Sequence, residues 1–176
     1  ATIQRGGKIT KSQFAVPDLI EGFPALLRRA GYYCSNNSKT DYNTSATKRI
    51  VAAAWDESSN QAHWRNRKPG QPFFAVFNLE VTHQSRTTAW PYDQFERQVQ
   101  SRLSAGQRQD PAKVRLPAAW PDTPTMRRSL ARYYDCIAVM DQQFGDFLRQ
   151  LEKDGSAEDT IVVFFADNGP GIPGGK

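Results

Sequence analysis

Five residues in this chain have the type and setting to act on an anionic ester. Asp167 and Asn168 follow the apolar run 160–166 (TIVVFFA) and precede Gly169. A carboxylate beside an amide oxygen is a hard-oxygen donor pair, suited to Ca2+ or Mg2+, and the glycine lets the backbone turn sharply behind it. Read blandly, the tripeptide is an ordinary turn. His83 comes three residues after Glu80, at the end of the apolar run 73–80 (FFAVFNLE). An imidazole there can donate to an anionic oxygen or protonate a leaving group, or it can be a partly buried structural residue. Lys39 stands in the polar loop after 32–35 (YYCS), and Lys176 in the Gly/Pro loop after 160–166. An ammonium group is a good partner for a sulfate or phosphate oxygen, although a single lysine is usually solvated surface. His63 lies in an irregular stretch and reads as structural or surface.

The elements that must position these groups follow from periodicity. Residues 17–30 carry Leu19, Ile20, Phe23, Leu26 and Leu27 at helical spacing, and Gly31 stops that helix as a C-cap residue does. Residues 32–35 then read as a short strand. Residues 36–46 form a polar loop, 50–55 a short helix within an irregular stretch, and 73–80 a strand buried on both faces. A proline-rich segment with a short helix at 92–103 follows. Thr123-Pro124 is a helix start, Thr as N-cap and Pro at the first helical position; one apolar face then continues to Lys153, and Gly155 ends the helix. The run 160–166 reads as a third strand buried on both faces. This order predicts an α/β fold whose mixed, mostly parallel sheet is covered on both faces by helices. Ligand sites in such sheets lie beyond the carboxyl ends of the strands, where all three polar clusters fall.

Composition sets the outer limits. The 176 residues suffice for one domain, and 39% are apolar. The net charge is +5; residues 1–72 hold eleven Lys/Arg against five Asp/Glu, and the remainder twelve against thirteen. A basic first part suits an anionic partner, or is simply a solvated face. The basic residues are scattered and no nucleic-acid-binding motif accompanies the four tryptophans, so nucleic acid is not an expected partner. No apolar run is long enough to span a membrane. Cys34 and Cys136 sit in apolar contexts and read as buried free thiols. The start at Ala1 and the stop inside a Gly/Pro loop suggest a single domain, residues 1–176, incomplete at both ends.

Three blocks carry a family resemblance. Residues 133–169 (YYDCIAVMDQQFGDFLRQLEKDGSAEDTIVVFFADNG) resemble the long helix and metal-binding Asp-Asn strand of the sulfatases. Residues 72–83 (PFFAVFNLEVTH) resemble the strand leading to that family's active-site His, and 26–43 (LLRRAGYYCSNNSKTDYN) the helix and strand before its active-site Lys loop. The blocks occur in family order. The resemblance implies a partial alkaline-phosphatase-like sandwich and sulfuric ester hydrolysis, with a periplasmic or secreted location. It further implies Asp167 and Asn168 as metal ligands, Ca2+ before Mg2+, and Lys39, His83 and Lys176 as catalytic cations and donors. The nucleophile of the family, a formylglycine made within a Cys/Ser-x-Pro/Ala-x-Arg motif, has no counterpart here and is expected upstream of Ala1; Ala1-Thr2-Ile3 resembles the segment just after it. In the family's Gly-Lys-x-His loop the Gly position is Ser38 and the His position is Asp41, which is then expected to bind a substrate amine or hydroxyl. The loop 36–43 resembles bacterial heparan-sulfatase-like members, which implies a sulfated glycan as substrate. A phosphodiesterase or phosphonate hydrolase of the same superfamily, or an inactive glycan-binding relative, are the alternatives.

Overall fold

The computed structural model describes residues 16–42 and 44–170. Lys176 and residues 1–3 therefore lie outside the described residues. The chain divides into two compact units, the first ending at Asn78 and the second beginning at Leu79.

In the first unit, helix α1 is Phe23–Arg29, with Pro24 in its first turn and Gly31, at φ +93°, beyond its end. The helix expected from residue 17 starts later because proline is tolerated in a helix only in the first turn. Residues 17–21 therefore lie outside the helix; the Pro17 carbonyl accepts from the Ile20 amide, and Arg49 donates to the carbonyls of Val16, Pro17, Asp18 and Ile20. Strand β1 is Tyr33–Asn37, helix α2 Thr47–Ala54, strand β2 Glu57–Ser58 and strand β3 Phe73–Phe77. The sheet order is β2-β1-β3, all parallel, with Tyr33 opposite Phe73 and Asn37 opposite Phe77. Side chains alternate across β3 as a period of two requires. Phe74 meets Phe23 and Trp55 on one face, while Phe73 and Phe77 meet Trp64 on the other. Every residue of β3 is half-buried, so the expectation of full burial on both faces is corrected: only a few aromatic rings cover each face. The strand also ends at Phe77, short of Glu80, because the chain turns into a 3-10 helix at Glu80–Thr82. Arg28 ties the layers together. It donates to the carbonyls of Ala52 and Ala53 at the end of α2 and to the Asp56 carboxylate, which in turn accepts from the Cys34 amide.

In the second unit, α3 is Ser85–Thr88, α4 Tyr92–Gln98 and α5 Pro124–Lys153. The long helix has the bounds its sequence predicts. Thr123 Oγ1 accepts from the Met126 amide at 3.2 Å, and Gly155, at φ +64°, follows its C-cap. Phe95, Val99 and Leu103 pack against Cys136 and Val139 of α5. Asp135 is fully buried in the same helix, and its carboxylate accepts from Gln100 Nε2 and from the Gln109 amide, both at 2.8 Å. Those two bonds satisfy polar oxygens that would otherwise be costly to bury.

The third strand is not formed. Residues 161–166 carry no strand assignment, and Ile161, Val163 and Phe165 are 93%, 73% and 77% exposed. A strand exists only through its ladder, and none of the described strands pairs with this run. Apolar, β-branched and aromatic composition gives the segment strand propensity, but propensity alone cannot supply hydrogen-bond partners. Phe164 does touch a neighbour, the ring of Phe144 at 4.9 Å.

Candidate functional site

The carboxyl end of β1 opens into the loop that carries Lys39, and that loop is built from amides. Asn36 is buried, and its Nδ2 donates to the Lys39 carbonyl at 3.1 Å and to Ser58 Oγ at 3.0 Å. Asn37 Nδ2 donates to the carbonyls of Asn60 and Ala62. Ser38 donates its hydroxyl proton to Asn60 Oδ1, next to a cis peptide between Asn37 and Ser38. From the end of β3, Asn78 Nδ2 reaches the Asn37 carbonyl at 3.2 Å and Asn36 Oδ1 at 3.5 Å. Four asparagines thus fix the backbone on either side of Lys39, while Lys39 and Asp41 themselves are exposed. A network whose members are all satisfied holds one backbone conformation. Sequence reasoning missed these residues as a group. The signal was present in Asn36-Asn37 and in the lone Asn78 interrupting an apolar run.

Two further polar groups of the first unit, Glu57 and His63, are held by close neighbours. Tyr33 donates its hydroxyl proton to Glu57 Oε2 at 3.0 Å, and burial, with Glu57 adding to it, pushes the Tyr33 phenol up to about 12. Glu57 is held below the usual carboxylate range, first by the Asn66 side-chain amide. His63 is half-buried, tilted against Trp64 at 4.0 Å and edge-on to Phe77. Its Nδ1 accepts from the Arg65 amide. This agrees with a structural reading.

In the second unit, His83 follows the 3-10 turn Glu80–Thr82 and is exposed. Its Nδ1 lies 2.8 Å from Ser85 Oγ and accepts from the Ser85 amide at 3.3 Å. Asp167 and Asn168 form an exposed bend after the unpaired run. As donors they fit Ca2+ in kind, since both offer hard oxygens, but two residues supply only part of a shell of six to eight. Among the described residues no three His, Cys, Asp or Glu side chains gather closely enough to hold a metal ion. A cavity of about 650 Å3 lies beside α5, lined by Tyr134, Ile137, Met140, Phe144 and Phe164. Among the described residues, none of Lys39, His83, Asp167 and Asn168 lines it, and its wall carries the Asp141 side chain and no cationic one. Burial pushes the thiols of Cys34 and Cys136 up to about 11 and about 12; both are free and buried, as expected.

Comparison with known proteins meets this geometry at the level of the family. The sulfatase family pattern matches residues 20–176. The chain is 40% identical to an ulvan-active sulfatase of Formosa agariphila over 89% of its own length and 30% of the relative's. It is also 40% identical to human N-sulphoglucosamine sulphohydrolase over 38% of its length and 13% of the relative's. It thus spans less than a third of either curated relative. No solved structure matches it. The family pattern runs through the amide-held Lys39 loop, the His83 turn and the Asp167-Asn168 bend alike, and the chain belongs to the sulfatase family.

Proposed function

We propose that the whole protein hydrolyses sulfuric esters, and that this chain supplies part of the machinery that binds and polarises the sulfate group. The family match over residues 20–176 carries the reading. The names of the two relatives, one active on ulvan and one on an N-sulphated glucosamine, support a sulfated glycan as substrate. A periplasmic or secreted location goes with such a substrate.

Within this reading Lys39 and Lys176 place ammonium charge against sulfate oxygens, and His83 donates a hydrogen bond to the ester. Asp41, exposed beside Lys39, accepts from a substrate amine or hydroxyl, because a carboxylate cannot donate to a leaving oxygen. Asp167 and Asn168 would be two of the ligands of a Ca2+ ion, whose charge would stabilise the developing negative charge on the sulfate. The nucleophile, a formylglycine, comes from outside these residues: Cys34 is followed by Ser35-Asn36-Asn37 and Cys136 by Ile137-Ala138-Val139, neither a Cys-x-Pro-x-Arg motif.

The test is turnover of an aryl sulfate and of sulfated oligosaccharides by the full-length protein, beside its Asp167→Ala and His83→Ala variants. Each variant is expected to lose about a hundredfold or more, the scale of removing one preorganised electrostatic contact. Turnover unchanged in both variants would show that the reading is wrong.

A further inference from the structure

The hydrogen bonds around His83 have a direction. Arg86 Nη1 donates to Ser85 Oγ at 3.1 Å. Guanidinium nitrogens only donate, so Ser85 Oγ is the acceptor in that bond. The Ser85 backbone amide donates to His83 Nδ1 at 3.3 Å, which requires a lone pair on Nδ1. Ser85 Oγ, 2.8 Å from the same nitrogen, must then donate its own proton. The order is Arg86 N–H to Ser85 Oγ, then Ser85 O–H to His83 Nδ1, with the Ser85 N–H converging on the same lone pair. The imidazole proton is left on Nε2, the ring's other nitrogen.

Arg86 is itself anchored. Its guanidinium lies 4.0 Å from the centroid of Trp90, a contact of the cation–π type, and Trp90 packs on the cluster formed by Phe95, Val99, Leu103, Cys136 and Val139. Backbone bonds hold the same turn: the Arg86 amide donates to the His83 carbonyl at 2.9 Å, and the Trp90 amide to the Ser85 carbonyl at 2.9 Å. Orientation therefore passes from a buried core to an exposed imidazole through one arginine and one serine.

We propose that Ser85 is a positioning residue that holds His83 as its Nε2–H tautomer, so that Nε2–H is the donor offered to an anionic ester, and that Arg86 sets the direction of the Ser85 hydroxyl. This rests on the functional reading of His83 given above only for its consequence on turnover; the tautomer is a property of the turn itself. The energetic reason is general. A neutral imidazole carries one proton, and the hydrogen bond at one nitrogen decides what the other can do.

The experiment uses the full-length protein labelled with 15N in histidine, the His83 signals being assigned by their loss in His83→Gln. In the wild type, the long-range ring spectrum is expected to show Nδ1 unprotonated and Nε2 protonated. Ser85→Ala leaves on Nδ1 only the longer 3.3 Å amide contact, the weaker of the two, and should shift His83 towards a mixture of tautomers and lower kcat about tenfold, near the loss of one hydrogen bond to a polarised group. Ser85→Thr, which keeps the hydroxyl, should restore both. A wild-type ring protonated on Nδ1 would overturn the proposal. So would Ser85→Ala with the wild-type tautomer, whatever its activity. Full turnover in His83→Gln would instead sink the functional reading and leave the hydrogen-bond order to be decided by the spectrum alone.

Discussion

At the scale of single residues, side chains do two different jobs here, and their environments separate them. Lys39, Asp41, His83, Asp167 and Asn168 are exposed and can meet a substrate or ion. Of the residues that hold the Lys39 loop and the His83 ring, Asn36 is buried and Asn37, Asn78, Ser85 and Arg86 are half-buried. Asn36→Leu removes two donors and an acceptor from the Lys39 loop and leaves Ser58 Oγ and the Lys39 carbonyl short of partners. It is expected to cost about 1–3 kcal/mol of stability, read by urea unfolding. The cysteines belong to neither group. Their raised pKa values leave both thiols protonated at neutral pH, so neither is expected to react with a thiol-directed reagent until the protein is unfolded. The sign for stability follows. A thiol whose pKa rises on folding contributes stability that is fully present below its ordinary value of 9.0 and is lost as pH climbs through about 11 for Cys34 and about 12 for Cys136. Unfolding followed from pH 8 to pH 12 should show that loss in the wild type and less of it in Cys34→Ala/Cys136→Ala.

At the scale of elements, the long helix was legible because every local signal agrees. Thr123 caps it, Pro124 occupies its first turn, and Leu130, Val139 and Leu151 lie on the buried side. Thr123→Ala should cost about 1 kcal/mol, the usual worth of an N-cap side chain, measurable as a lower denaturation midpoint. Phe95 is fully buried between α4 and α5, and Phe95→Ala should cost about 3–5 kcal/mol through lost burial and a residual cavity. The parallel pair of β1 and β3 was legible for a similar reason, since apolar runs followed by polar strand ends point to that geometry. Residues 160–166 looked like a strand by the same composition, yet a strand also needs a neighbour, and no window of sequence contains its neighbour. The Lys39 loop was readable only in part. The lysine stood out by charge, whereas the asparagines that hold it work through contacts between residues as far apart as Asn36 and Asn78.

At the scale of the whole molecule, each unit has its own buried centre: Cys34, Ala54, Ala62 and Trp64 in the first, Phe95, Cys136 and Val139 in the second. Each also displays apolar surface, Leu19, Phe23 and Leu26 in one and residues 161–165 in the other. The latter run has the composition of an aggregation-prone strand, and among the described residues no strand pairs with it. The 176-residue polypeptide on its own is expected to associate as its concentration rises, and Val163→Lys with Phe165→Lys to suppress this in analytical ultracentrifugation. The middle position of β1 has a consequence for synthesis. Ser35 must wait for Glu57, 22 positions later, and Tyr33 for Phe73, 40 positions later. At the usual pace of translation these are delays of about 1–4 s and about 2–8 s. Both edges of β1 are open through the shorter interval and the β3 edge through the longer one, and whatever shields a newly made strand must stay with it until Phe77 has left the ribosome.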